Sequence, residues 1–364
     1  MRVLCAPDAF KGTLDANAAA AAMAKGVRAA GHEAIAMPVA DGGEGTVNVL
    51  LHALGGTLQH APCIDPTGRA MEAPYGLLSD GAAIIECAAA GGLPLLSAAE
   101  RQPLTLTCAG TGQLLVHATE QGANNLLLGI GGTATVDGGA GLLQSLGAIL
   151  LDASETPLPT PVRPVDLAAL HSVRLPEHPP ALKGLIDTKA PLLGTQGAAR
   201  VFGPQKGASP EQVVELESVL NHVASIIDPS GTLHTIHGAG AGGGIGFAVL
   251  ALGGTLAPGA DVVLDAIGID GALQQADLVL TGEGCIDAQT AQGKAPFIVA
   301  QRAAQAGVRC IGIAGMAGDG HAALVDDGPF ETIESLIDRF GVEMSMGDPA
   351  GALGKAVADL LHTC

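Results

Sequence analysis

Val3-Leu4-Cys5-Ala6-Pro7-Asp8 and its echo Ala34-Ile35-Ala36-Met37-Pro38-Val39-Ala40-Asp41-Gly42-Gly43 decide the fold class. Each is a short apolar run that stops at an acidic or glycine turn. Residues 16–30 between them are rich in alanine, a strong helix former, and Gly31 supplies a stop. The order is strand, loop, helix, strand. The same rhythm returns late in the chain. Residues 277–280 run into Thr281-Gly282, a helix is expected over 296–306, and 310–314 lead into Gly315. Strands that end at polar or glycine turns are the layout of a doubly wound sheet, which takes ligands at its strand ends.

The middle of the chain reads differently. Residues 70–77 and 82–87 are β-rich, glycine loops recur, and the proline-rich stretch 156–165 reads as a surface loop. The expectation is an α/β protein. Both chain ends, 1–55 and 271–364, form a doubly wound, mostly parallel sheet domain. A second α/β domain, 56–270, is inserted, and the active site is expected in the cleft between them.

Composition narrows the function. The chain has 364 residues, of which 48% are hydrophobic, so a sizeable core is available. That core is aliphatic, because the sequence has no Trp and one Tyr. A formal net charge of −19 argues against nucleic acid and against anionic membrane surfaces. Residues 237–260 carry no Asp, Glu, Lys or Arg, but glycines and Pro258 interrupt them. A glycine loop followed by a buried helix is expected there, rather than a span of ~20 apolar residues. No cationic start precedes an apolar core, so no signal peptide is read. The seven cysteines are scattered without a C-x-x-C pair, which suits reduced thiols in cytoplasm. Homo-oligomerisation is left open.

Chemistry-bearing residues gather beside glycines. Gly129-Ile130-Gly131-Gly132-Thr133-Ala134-Thr135 follows an apolar run and precedes an expected helix, where free N–H groups would suit phosphate. Gly238-Ala239-Gly240-Ala241-Gly242-Gly243-Gly244 reads in the same way, or as close packing. There is no G-x-x-x-x-G-K-[ST] and no G-x-S-x-G, which removes P-loop and α/β-hydrolase readings. Acidic groups sit on turns in Asp41-Gly42-Gly43-Glu44-Gly45-Thr46, in Asp137-Gly138-Gly139, and in Thr281-Gly282-Glu283-Gly284 with Asp287. Phosphoryl transfer needs carboxylates for Mg²⁺ and a base for the alcohol proton. It also needs cations or N–H groups on the phosphoryl. Only 17 Lys and Arg are present, so Lys11, Lys206 and Lys294 beside glycine loops stand out.

At these residues the pattern resembles a known family. Ala6-Pro7-Asp8-Ala9-Phe10-Lys11, Pro38 through Thr46 and Phe202-Gly203-Pro204-Gln205-Lys206-Gly207-Ala208 are similar to blocks of the bacterial glycerate kinases. Gly110-Thr111-Gly112 and the glycine and acidic clusters above fall in the family's order, over about residues 3–360. The resemblance implies ATP-dependent phosphorylation of D-glycerate to 2-phosphoglycerate, with Mg²⁺, in the cytoplasm. It implies Asp187 or Asp8 as proton acceptor, and Lys11 or Lys206 on the glycerate carboxylate. It further implies Asp41, Glu44 or Asp287 on the metal. Gly129, Gly131 and Gly132 would line the ATP phosphates, with Thr133, Asp137, Gly240, Gly242 and Glu283 completing the nucleotide site. Ala190, Val136, Cys285 and Gln113 depart from residues common in the family. Two other readings stay open. One is a kinase for another small hydroxy acid, and the other is a binding protein without turnover.

Overall fold

The computed structural model describes residues 1–362, so Cys364 lies outside the described residues. The chain divides into two compact units. The first contains Met1–Asp41, Asn48–Leu54 and the chain from Ala260 onward; the second contains Gly42–Val47 and Gly55–Gly259.

A five-stranded sheet organises the first unit. Its strands lie in the order Thr332–Ser335, Arg309–Ala317, Leu278–Ile286, Arg2–Cys5, Glu33–Ala36, and every pairing is parallel. Counting only this unit's strands along the chain, the spatial order is 2-1-3-4-5, a doubly wound arrangement. Alternate residues face opposite sides. Leu4, Val279 and Cys310 pack with Leu264, Leu273 and Val299 on one face. Val3, Cys5, Leu278, Leu280, Ile311 and Ile313 pack with Met23, Val27 and Val357 on the other. Helix Ala16–Ala29 starts where Asp15 accepts the Ala18 N–H at 2.7 Å. It meets helix Pro349–Leu361 so closely that a Cβ on Gly26 would run into the Gly354 carbonyl.

Two readings from sequence are corrected here. The strand expected over 277–280 continues to Ile286, so Thr281 to Gly284 are strand and not turn. The physical reason is Gly282, where any Cβ would strike the Ile313 carbonyl; its absence lets the two nine-residue strands stay paired. The inserted segment also ends earlier than 270. Residues 260–270 belong to helices Gly259–Ile267 and Ile269–Leu273, whose Ala260, Leu264 and Ile269 join the first unit's core.

The second unit carries a six-stranded sheet ordered Thr255–Pro258, Ala181–Ile186, Asn125–Gly129, Ala83–Glu86, Ala70–Leu78, Gly56–Ile64. The first four strands are mutually parallel, and the last two are joined antiparallel. Tyr75 is fully buried, its hydroxyl 3.1 Å from His117 Nδ1 with the rings edge to face. No helix among the described residues is long and apolar enough to cross a membrane. The uncharged stretch 237–260 instead holds glycine turns, the short helix Ile245–Ala251 and a strand.

One carboxylate organises a loop that the site depends on. Asp228 is 4% exposed and accepts from the Ser230 hydroxyl and from the Thr232, Leu233 and His234 N–H groups, with His234 Nδ1 at 3.0 Å. Burial alone would raise its pKa, but the Ser230 hydroxyl and the backbone donors win and bring it down to about 2. His234 in turn accepts the Leu192 N–H at 2.9 Å and so anchors the segment that follows Asp187. Asp228→Ala strands these donors and should lower stability by roughly 2–4 kcal/mol in urea unfolding at pH 7. Because the folded carboxylate has the lower pKa, its contribution is full above the usual 3.8 and disappears as pH falls toward 2. The gap between variant and wild type should close over that interval.

Candidate active site

In the second unit the ends of two neighbouring parallel strands open on one pocket. The loop after Asn125–Gly129 contributes Ile130, Gly131, Gly132 and Thr133, and the loop after Ala181–Ile186 contributes Asp187 and Thr188. Gln205 and Lys206 join them, and the cavity measures about 140 Å³. Carboxyl ends of parallel strands are where open α/β sheets take ligands.

Lys206 dominates this pocket. It is 3% exposed, and its Nζ donates to Thr133 Oγ1 at 3.0 Å and to the Thr135 carbonyl at 2.7 Å. Burial lowers its pKa to about 8, with the nearby Asp137 charge pulling the other way. The Gly131 and Gly132 N–H groups make no hydrogen bond among the described residues. A cation and unused amides on one small cavity are an anion-binding arrangement.

The glycines divide into two sorts. Gly131 and Gly132 line the pocket. Gly129 and Gly240 instead lie where a Cβ would strike the Gly42 and Pro191 carbonyls. Gly242, at φ +62°, lines the pocket but also lies 2.6 Å, by its would-be Cβ, from Ile130. The cluster at 238–244 is therefore mostly close packing. The loop at 129–135 also lacks the expected helix start. The helix begins at Ala140, and Asp137 fills that role from within. Its fully buried carboxylate accepts from Cys108, Gly139 and Gly141 N–H groups at 2.9, 3.1 and 3.4 Å. Burial raises its pKa, and those donors oppose the rise. These contacts give Asp137 a structural task.

The remaining acidic candidates separate by unit. In the first unit the chain reversal lies between the adjacent strands Arg2–Cys5 and Leu278–Ile286, beside Asp8 and Glu283. Burial raises the Asp8 pKa well above the usual value, and the charges of Asp41 and then Glu283 push it further. Lys11 is exposed and pulls it back. Glu283 is 9% exposed and accepts from Lys294 Nζ at 3.0 Å and from the Thr290 hydroxyl at 2.9 Å. Asp287 turns to its own loop, accepting the Gln289 N–H at 2.8 Å, and Cys285 Sγ lies 3.8 Å from it. Glu44 is exposed and belongs to the second unit. Within the first unit, Asp41 and Asp287 both act on Lys294, and no three acidic, His or Cys side chains among the described residues form a metal cage. Asp8 and Asp41 do repel one another, as two carboxylates suited to a shared divalent cation do. Mg²⁺ needs only one or two carboxylates when phosphate oxygens supply the rest.

Sequence reading missed Thr135, whose carbonyl holds Lys206, and Glu86, whose Oε1 accepts the Gly45 and Val47 N–H groups and shapes the D-G-G-E-G-T loop. A main-chain acceptor has no residue signature, and Glu86 ends an ordinary apolar strand. The departures have local accounts. Gln113 Oε1 accepts the Ile64 N–H at 2.9 Å, Val136 is fully buried, and the Ala190 carbonyl accepts from Gly238 and Gly240.

A family model described as the glycerate kinase family matches residues 3–364. The chain belongs to the glycerate kinase family. Family membership makes it a kinase, a transferase of phosphoryl groups. It is 42% identical over 354 residues to the glycerate 2-kinase of Escherichia coli (strain K12), covering 94% of this chain and 92% of that protein. It is 41% identical over 327 residues to the glycerate kinase of Bacillus subtilis (strain 168), covering 86% and 85%. A crystal structure from Salmonella typhimurium LT2, assigned as a glycerate kinase 2, superposes with a TM-score of 0.86 at 35% identity, covering 100% of this chain and 98% of that one.

The lowered Lys206 pKa has a measurable consequence. The ammonium is present below about 8 and lost above it, so affinity for inorganic phosphate should fall toward tenfold per pH unit between pH 8 and 10. Calorimetric titration of wild type and Lys206→Met checks this, with the variant binding weakly and without that slope.

Proposed function

We propose that the chain transfers the γ-phosphoryl group of Mg-ATP to the 2-hydroxyl of D-glycerate, giving 2-phosphoglycerate and ADP. The observation that carries this reading is the buried Lys206 ammonium beside the Gly131 and Gly132 amides and Asp187, on one cavity of about 140 Å³. That volume suits a phosphoryl group and a small acceptor, not a large one. The E. coli relative's name, glycerate 2-kinase, supports the 2-position.

Each residue then has a task. Lys206 and the two amides neutralise charge on the transferred phosphoryl oxygens, in a site where burial strengthens the interaction. Asp187 takes the acceptor hydroxyl's proton, because it shares the cavity with Lys206. Asp8 and Asp41 would hold Mg²⁺, whose positive charge shields the phosphate oxygens and offsets the repulsion between the two carboxylates. Lys294, 3.0 Å from Glu283, opposes the burial that raises this carboxyl's pKa and fixes it in its strand.

ADP release from Mg-ATP, with and without D-glycerate and with the product read by phosphorus NMR, tests the reading directly. Glycerate-dependent ADP and a 2-phospho product are expected. A panel of other hydroxy acids that outperform glycerate would replace the acceptor. Asp187→Asn should cut kcat by about 10²–10⁴ while KM for ATP changes less than about threefold. Asp8→Asn should instead raise the Mg²⁺ concentration needed for half-maximal rate. Unchanged kcat in Asp187→Asn would remove it from the proton-transfer role.

A further inference from the structure

Lys206 imposes a direction on the hydroxyl beside it. An ammonium has three N–H donors and no lone pair, whereas a threonine hydroxyl accepts as readily as it donates. In the 3.0 Å contact between Lys206 Nζ and Thr133 Oγ1, the oxygen is therefore the acceptor. The hydroxyl's own hydrogen must find a partner elsewhere. Among the described residues, Thr133 makes no hydrogen bond in which its hydroxyl donates. Yet the residue is 4% exposed and lines the cavity.

The fold holds Thr133 firmly in that place. The Ala134 N–H donates to the Gly91 carbonyl at 2.8 Å, and the Gly132 carbonyl accepts the Leu93 N–H at 3.2 Å. These two bonds set Thr133 opposite Gly92 in an antiparallel bridge. Both carbonyls therefore already serve backbone donors. A β-branched side chain is also stiff about its first torsion, so the hydroxyl has few other directions to take. Buried polar groups nearly always have partners. Here the cavity is the place from which one can come. Lys206 is in the same position, because Thr133 and the Thr135 carbonyl take two of its three N–H groups. One hydroxyl hydrogen and one ammonium hydrogen thus remain, beside the Gly131 and Gly132 amides on the same cavity.

We propose that Thr133 is a phosphoryl-binding residue, whose hydroxyl, turned by Lys206, donates a hydrogen bond to an oxygen of the transferred phosphoryl group. The proposal rests on the phosphoryl-transfer reading above and deepens it. The transferred group spreads its charge over three oxygens, so it can use more donors than one ammonium and two amides supply. A donor oriented before the ligand arrives needs no reorganisation when that charge develops. Lysine and threonine act here as a pair, with the charge of one fixing the polarity of the other.

Calorimetric titration with sulfate, joined to steady-state kinetics, on wild type, Thr133→Val and Thr133→Ser tests the assignment. Sulfate is a tetrahedral anion whose charge does not change over the range in which Lys206 titrates. Valine keeps the shape and removes the hydroxyl, whereas serine keeps the hydroxyl. At about pH 6, well below the Lys206 pKa of about 8, Thr133→Val should weaken sulfate binding by about 10–100-fold. Thr133→Ser should stay within about threefold of wild type. With ATP and D-glycerate, the valine variant's kcat should fall by about the same 10–100-fold while KM for glycerate changes less than about threefold. A residue that only steadied Lys206 would behave differently. Valine would then move the alkaline fall in sulfate affinity to lower pH and leave the affinity at pH 6 unchanged, which overturns the proposal. Valine and serine variants that are equally weak would overturn it too, because the hydroxyl would not be what matters. Wild type is read first. If it binds sulfate but does not phosphorylate D-glycerate, the acceptor reading fails and the Thr133 assignment stands on the sulfate data. If it binds no sulfate, the cavity is not an anion site and the assignment falls.

Discussion

Backbone packed directly on backbone, with no side chain between, is the constraint from which the second unit's pocket follows. The missing Cβ atoms of Gly243 and Gly244 admit the Thr135 carbonyl and the Gly138 main chain, and that of Gly129 admits the Gly42 carbonyl. Any larger residue would push these loops apart. Thr135 is then fixed where its carbonyl can hold an ammonium, and Lys206 can be buried without a carboxylate in contact. Glycine raises the entropy lost on folding, which is the general penalty of such contacts. Here that loss secures a carbonyl position that a side-chain acceptor would have to reach flexibly.

The two units set up opposite electrostatic imbalances. The second keeps a cation out of water and lowers its pKa. The first brings carboxylates within reach of each other, so that Asp8 is pushed toward its neutral form. Each imbalance would be relieved by a ligand of the other sign, as the proposed phosphoryl anion on Lys206 and the proposed Mg²⁺ on Asp8 and Asp41 would supply. Asp137 differs because three N–H donors within the fold already oppose the effect of its burial. A carboxylate's burial therefore says less about function than whether the fold has already supplied its partners.

Much of this was legible in the sequence where the signal is local. The opening strand, the alanine helix and the late strands are read from apolar runs and glycine stops. Lys206 stands out because cations are scarce. Signals that depend on distant partners were not legible. Glu283 looks like a turn residue until strand Arg309–Ala317 is seen paired along it. Asp137 looks like a ligand until Cys108 and Gly141 are seen donating to it. The glycine clusters at 129–135 and 238–244 read alike in sequence, yet one lines a cavity and the other mostly packs against carbonyls. A residue's neighbours in space decided each case.

The placement of Tyr75 has a consequence for how the molecule can be observed. It is the chain's one tyrosine, there is no tryptophan, and it is sealed beneath the six-stranded sheet against His117. The protein is therefore nearly transparent at the wavelengths where most proteins absorb and emit. Its tyrosine emission comes from the second unit alone. A melting curve read by tyrosine emission would follow that unit and stay blind to the other, however the first unit behaves.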